Sequence, residues 1–209
     1  MHYDQALGNG QVQKCIGSLS GEIMSKCQRF VRFEDKFSCV LGKLLLLECL
    51  ENLGYPSDLL LTNWHTDAYG KPHIGGNISF SISHTEGCVV CAVSFAPLRV
   101  GIDIEKIKPI NLDDFRSVLG EAVIRDLDKT QSPQTSFYRY WTAIESVLKA
   151  DGRGFLMEIG NLQIKMHLNT ASIDQTEWHL FPIYIDANYV CYLAASCGSV
   201  KINIQYLKY

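Results

Sequence analysis

The sequence predicts an α+β fold made of two similar subdomains, residues 1–108 and 109–209. Three observations carry this. Each half places helical segments before a run of strands. A length of 209 residues suits two small cores or one large one. Val100, Ile102 and Ile104 alternate with Gly101, Asp103 and Glu105, the period of a strand with one apolar face.

Residues 1–19 lack an apolar period and read as a loose strand or a disordered arm. Ser20 as N-cap, with Glu22 in the first turn, starts a short helix reaching about residue 33. A second helix spans 35–53. Phe37, Val40, Leu41, Leu44, Leu45 and Leu47 form its broad apolar face, and Gly54 and Pro56 end it. Ile78, Phe80 and Ile82 then alternate with Ser79, Ser81 and Ser83. Thr85-Glu86-Gly87 is a turn, and 88–94 returns as the partner strand of a hairpin. The 100–105 strand follows, and Pro109 closes the first half. The second half predicts helices over 112–127 and 135–150, then strands over 162–168, 177–184, 189–195 and 202–206.

An apolar fraction of 47% with 20% charged residues is ordinary for a soluble globular protein. A net charge of −3 does not supply the field of a general nucleic-acid binder. An acidic partner therefore needs a local patch, for which Lys106, Lys108, Arg116 and Arg125 are candidates if they are not merely scattered. The eight cysteines do not form a secreted disulfide scaffold by their number alone. Cys88 and Cys91 have C-x-x-C spacing inside an apolar strand, with no second pair and no histidines nearby, so they read as structural thiols rather than zinc ligands. Residues 1–14 lack a signal-peptide core, and the longest apolar stretch, 44–47, cannot span a bilayer. The expectation is a cytoplasmic protein with no membrane contact.

Two fragments carry chemistry. Asp103 and Glu105 project from the same strand face ~7 Å apart, close enough to share one cation. Trp141, Glu145 and Lys149 follow at i, i+4 steps on one side of a helix. Three carboxylates with a lysine one turn beyond suit Mg²⁺ holding a pyrophosphate, because Mg²⁺ takes a few carboxylates and completes its shell with water and phosphate oxygens. Either fragment alone reads as a polar strand edge or a surface ion pair.

Together with further motifs the two are specific. Gly70-Lys71-Pro72, then Ile78-Ser79-Phe80-Ser81-Ile82-Ser83-His84, then the run from Gly101 to Ile110, then Trp141-x-x-x-Glu145-Ser146-x-x-Lys149-x-x-Gly152-x-Gly154 occur in this order. Ser25-Lys26-Cys27-Gln28-Arg29-Phe30, Glu34-Asp35 and Leu41-Gly42 precede them. From about residue 20 to about 195 the chain resembles the surfactin-type phosphopantetheinyl transferases.

The resemblance implies that the phosphopantetheine arm of coenzyme A is moved onto a serine of an acyl, peptidyl or aryl carrier protein, releasing adenosine 3′,5′-bisphosphate. It implies a pseudo-twofold pair of subdomains with the active site in the cleft between them, and a monomer that binds no nucleic acid. Asp103, Glu105 and Glu145 would hold Mg²⁺, with Mn²⁺ as a substitute. Glu145 would also serve as base, directly or through water. Lys149 would neutralise the leaving phosphate, and Lys26, Lys71, Pro72, Ser83, His84 and Lys149 would bind coenzyme A.

Two departures stand out. Ile144 occupies the lysine position of the family's W-x-x-K-E, and Ser38-Cys39 replaces a basic residue and threonine that help hold the ribose phosphate. Lys26, with Arg29 and Arg32, is the candidate for compensation. Trp141 reads as core beside Phe137, Tyr140, Ile144 and Leu148. Val118, Leu119 and Ile124 are either core or a carrier-docking surface. A non-catalytic relative that binds coenzyme A or carrier protein, and a Mg²⁺-dependent phosphodiesterase, are the competing readings. The mild acidity disfavours the second.

Overall fold

The computed structural model describes Ser25, Cys27 and residues 29–56, 63–154 and 161–207. The predicted 20–33 helix lies mostly outside these residues, as does Lys26. Helices and antiparallel sheets are mixed along the chain. The long helix α1 is Phe33–Asn52. Strands β1 (Trp64–Thr66) and β2 (Pro72–Ile74) form a small ribbon. A hairpin of β3 (Ile78–Thr85) and β4 (Cys88–Phe95) follows, then β5 (Val100–Lys106). Next come α2 (Arg116–Leu127) and α3 (Pro133–Asp151). Strands β6 (Gln163–Lys165), β7 (Thr170–Ile173), β8 (Thr176–Pro182) and β9 (Tyr189–Ala195) complete the order.

α1 buries Phe37, Val40, Leu41, Leu45, Leu46 and Leu50, while Leu44 and Leu47 are half-buried. It packs on the β3–β4 hairpin. A β-carbon at Gly42 would stand 2.6 Å from Ile82 Cγ2, so this close approach requires glycine. α3 starts with Pro133 in its first turn, where a missing N–H costs nothing. It ends at Gly152 in the left-handed region (φ 100), whose N–H reaches the Leu148 carbonyl at 3.0 Å. Its buried side carries Phe137, Ala143, Ile144, Val147 and Leu148 into a core with Trp178, Leu180 and Tyr192.

The five-stranded antiparallel sheet has the order β5-β9-β8-β7-β6. β5 is thus an edge strand of the sheet that the second half builds, with Asp103 opposite Tyr192 and Glu105 opposite Val190. Both of its faces are covered. Val100, Ile102 and Ile104 pack with Cys88, Val90, Cys191 and Leu193, and α3 packs against the strand. Gly101 and Asp103 are therefore buried as well, which the simple one-apolar-face reading did not anticipate.

Along the free edge of β5 the hydroxyls of β3 replace a pairing strand. Ser79 Oγ accepts from Val100 N–H at 3.2 Å, Ser81 Oγ from Ile102 N–H at 3.0 Å, and Thr85 Oγ1 from Lys106 N–H at 3.2 Å. The alternating serines of β3 thereby satisfy backbone donors that a solvent-shielded edge would leave without partners.

Some expectations are corrected. The 112–127 helix opens as a 3₁₀ turn, Leu112–Phe115, and is interrupted at Gly120 (φ 75). Residues 202–206 form no strand, because Ile202 and Ile204 are exposed and offer no face to bury. The 162–168 strand is found only as β6, Gln163–Lys165, and gives way to a 3₁₀ turn, Met166–Leu168. β1, β2 and β7, three or four residues each, are too short for a period to show. Cys27 and Cys39 are paired as a disulfide with a Cα separation of 5.7 Å, which the number of cysteines alone did not establish. Cys88 and Cys91 are free thiols of β4 that pack into different clusters. Among the described residues no helix is long and apolar enough to cross a membrane.

Candidate active site

α3 crosses β5 at Gly101 and brings Glu145 and Lys149 against Asp103 and Glu105. A cavity of about 360 Å³ forms there, lined by Ile82, Ser83, His84, Asp103, Glu105, Trp141, Glu145 and Lys149. Strands β3 and β5 and helix α3 thus each contribute polar groups to one space.

Asp103 is 3% exposed. Its Oδ1 accepts from Lys149 Nζ at 2.5 Å and from Ser83 Oγ at 2.7 Å, and Lys149 Nζ also donates to Ser83 Oγ at 2.9 Å. Its Oδ2 is buried without a hydrogen-bond partner. Glu105 Oε2 accepts from Thr85 Oγ1 at 3.3 Å. Burial, and then the charge of Asp103, pushes Glu105 up to about 7, although Thr85 and Lys149 pull the other way. Glu145 is also raised by burial and by Asp103, with Lys149 opposing. His84 stands at the cavity rim, where desolvation of its ring lowers its pKa.

This donor set fits a hard dication. Asp103 Oδ2 needs a partner, and burial, followed by the charge of Asp103, raises the pKa of both Glu105 and Glu145. Among the described residues, however, no group of three or more His, Cys, Asp or Glu side chains stands ready-made at ligand spacing. The three carboxylates share a cavity rather than a tight cage, and Lys149 neutralises one of them. Mg²⁺ tolerates this better than most metals, since water and phosphate oxygens fill most of its shell.

Six of the sequence-predicted residues meet in the cavity: Ser83, His84, Asp103, Glu105, Glu145 and Lys149. Lys71 and Pro72 are not among its lining residues. The Lys71 ammonium instead donates to the Lys149 and Ala150 carbonyl oxygens at 2.7 and 3.0 Å. Trp141 does more than the core reading allowed. It stacks on Phe137 and meets Phe115 edge-on, and its half-buried ring also lines the cavity. Its i, i+4 relation to Glu145 was the available signal. Thr85 was missed, although it continues the hydroxyl alternation of β3.

Ile144 is 3% exposed, within the core under α3. Ser38 is buried, and Cys39 is tied to Cys27. Neither position supplies a cation.

Residues 99–194 match the family model of the 4′-phosphopantetheinyl transferase superfamily. The 4′-phosphopantetheinyl transferase Sfp of Bacillus subtilis (strain 168) is 31% identical over 190 residues, covering 88% of this chain and 83% of that protein. The 4′-phosphopantetheinyl transferase gsp of Aneurinibacillus migulanus is 33% identical over 185 residues, 87% of this chain and 76% of that protein. HetI of Nostoc sp., also a 4′-phosphopantetheinyl transferase, is 26% identical over 201 residues, 89% and 82% respectively. The chain belongs to the 4′-phosphopantetheinyl transferase family, in its surfactin-type branch, and is an enzyme of that type.

Proposed function

We propose that this enzyme transfers the 4′-phosphopantetheine arm of coenzyme A to a serine of an acyl, peptidyl or aryl carrier protein and releases adenosine 3′,5′-bisphosphate. The observation that carries the reading is the single cavity shared by Asp103, Glu105, Glu145, Lys149, Ser83 and His84. In this reading the cavity is the cleft between two α+β subdomains, 1–108 and 109–209, of a cytoplasmic monomer.

Asp103, Glu105 and Glu145 are the residues that would hold Mg²⁺. Bound there, the ion supplies charge neutralisation for the pyrophosphate and for the leaving phosphate. The serine oxygen of the carrier attacks the β-phosphorus, and the bond from that phosphorus to the adenosine bisphosphate oxygen breaks. Glu145 takes the serine proton, directly or through a water. Its raised pKa makes it a better base than an exposed carboxylate. The Lys149 ammonium, already fixed on Asp103 and Ser83, faces the charge that develops on the departing phosphate. Ser83 and His84 offer hydrogen bonds to coenzyme A phosphates at the cavity rim, with Lys26 a further candidate. Ile144 lies in the core, so the missing family lysine leaves no gap in the cavity wall.

Incubating purified carrier proteins with the enzyme, coenzyme A and Mg²⁺ and weighing them by mass spectrometry tests the reading. A serine-borne phosphopantetheine mass is expected. Unmodified acyl, peptidyl and aryl carriers alike would refute it.

A further inference from the structure

Lys71 is outside the cavity, yet it holds the helix that furnishes Glu145 and Lys149. Its Nζ donates to the carbonyl oxygens of Lys149 and Ala150, at 2.7 and 3.0 Å. These belong to the last turn of α3, whose carbonyls have no N–H partner within the helix. A cation placed there also meets the negative end of the helix dipole. The lysine stem lies against Gly152, where a β-carbon would stand 3.0 Å from Lys71 Cδ.

The other end of Lys71 is anchored too. Asp67 Oδ1 accepts from the N–H groups of Tyr69 and Lys71, each at 2.9 Å, and Asp67 N–H donates to the Lys71 carbonyl at 3.0 Å. The side chain therefore runs from a fixed turn to a fixed helix end. Burial lowers its pKa, as does the charge of Arg99, while Asp151 and Asp67 oppose the shift. One residue joins this clamp to the site, because Lys149 offers its carbonyl to Lys71 and its ammonium to Asp103.

Resting on the transferase reading, we propose that Lys71 is a positioning residue, clamping the last turn of α3 so that the Lys149 ammonium meets Asp103, rather than a ligand of coenzyme A phosphate.

Lys71→Met keeps the stem and removes the donors. At saturating coenzyme A its kcat should fall about 10- to 100-fold, the scale of a small misplacement of a reacting group. The Kd for coenzyme A, measured by calorimetry, should stay at the wild-type value. In the double variant with Lys149→Met, the loss should be no greater than for Lys149→Met alone, since both act through one ammonium. A weakened coenzyme A Kd with kcat intact would overturn the clamp, as would losses that multiply in the double variant. Should Lys71→Met fail to fold, Lys71→Gln, polar but uncharged and one atom too short to hold both carbonyls, carries the same cycle. A wild-type protein that transfers nothing overturns the transferase reading itself, and that result is distinct from an active wild type whose Lys71 variants lose only affinity.

Discussion

Gly101 and Ser146 are so close that a β-carbon on the glycine would overlap the Ser146 carbonyl oxygen, and the backbone of Ala150 leaves no room to turn aside. This contact sets the height of α3 above β5. Glu145 and Lys149 flank Ser146 on the helix, and Asp103 and Glu105 follow Gly101 on the strand. The glycine therefore determines whether the four charged groups share a cavity.

Gly101→Ala should force the helix away from the strand. Overpacking of this kind costs about 1–3 kcal/mol, read as a lowered Tm. Transfer should fall further than stability explains, by about 10²-fold if the separation reaches 1 Å. An alanine variant with normal turnover would mean that the helix height does not matter to the chemistry.

Asp103→Asn keeps the shape of a buried side chain but leaves Lys149 without its charged partner. Losing a hydrogen bond to a charged group costs about 1.5–3 kcal/mol. Transfer should be abolished at any Mg²⁺ concentration, with a lowered Tm in thermal melts. Activity recovered at high Mg²⁺ would remove Asp103 from the ligand set.

Glu145→Gln retains size and removes basicity. Turnover should drop by at least ~10², the lower range for losing a general base, while coenzyme A still binds. If calorimetry finds only weaker binding and rapid-quench turnover is normal, the serine proton goes elsewhere.

Glu105 titrates near 7 in the fold against 4.5 when exposed, so between those values the folded chain holds more protons than the unfolded one. Stability without metal should therefore fall as pH rises through that window, and the raised pKa of Glu145 adds to the same slope. Mg²⁺ prefers the deprotonated carboxylates and should raise Tm more at about pH 8 than at about pH 5. Glu105→Gln should flatten the metal-free profile. A Tm in chelator that does not change across this range would contradict the raised carboxyl pKa values.

Much of this site was legible because it rests on local periods. The two-residue step brought Asp103 and Glu105 to one face of β5, and the i, i+4 step aligned Trp141, Glu145 and Lys149. What lay beyond reach was tertiary. The serines of β3 read as a polar strand face, but their task, serving the N–H groups of β5, depends on a strand 21 residues away in sequence. The hydrogen bonds from Lys71 to the Lys149 and Ala150 carbonyls were equally out of reach, because nothing local shows that Gly152 leaves this side chain a path to the end of α3. The burial of Gly101 and Asp103 on the second face of β5 did not show, because a covering helix leaves its mark on the sequence only as a glycine.

Ile144→Lys restores the family's residue type at a position that is 3% exposed, among Phe137, Leu148 and Trp178. A lysine there either loses its water, or bends out along the helix and leaves a hole under α3. Both destabilise, by on the order of 3 kcal/mol, in line with burying an unpaired charge. The Lys149 ammonium already faces the cavity from one turn further on, so a second cation approaching it would meet repulsion as well as phosphate. Turnover per folded molecule should therefore not rise, and Tm should fall. A gain above ~10-fold, worth ~1.4 kcal/mol at the transition state, would show that the new ammonium snorkels past the core to the substrate, and that isoleucine holds the natural enzyme below its attainable rate.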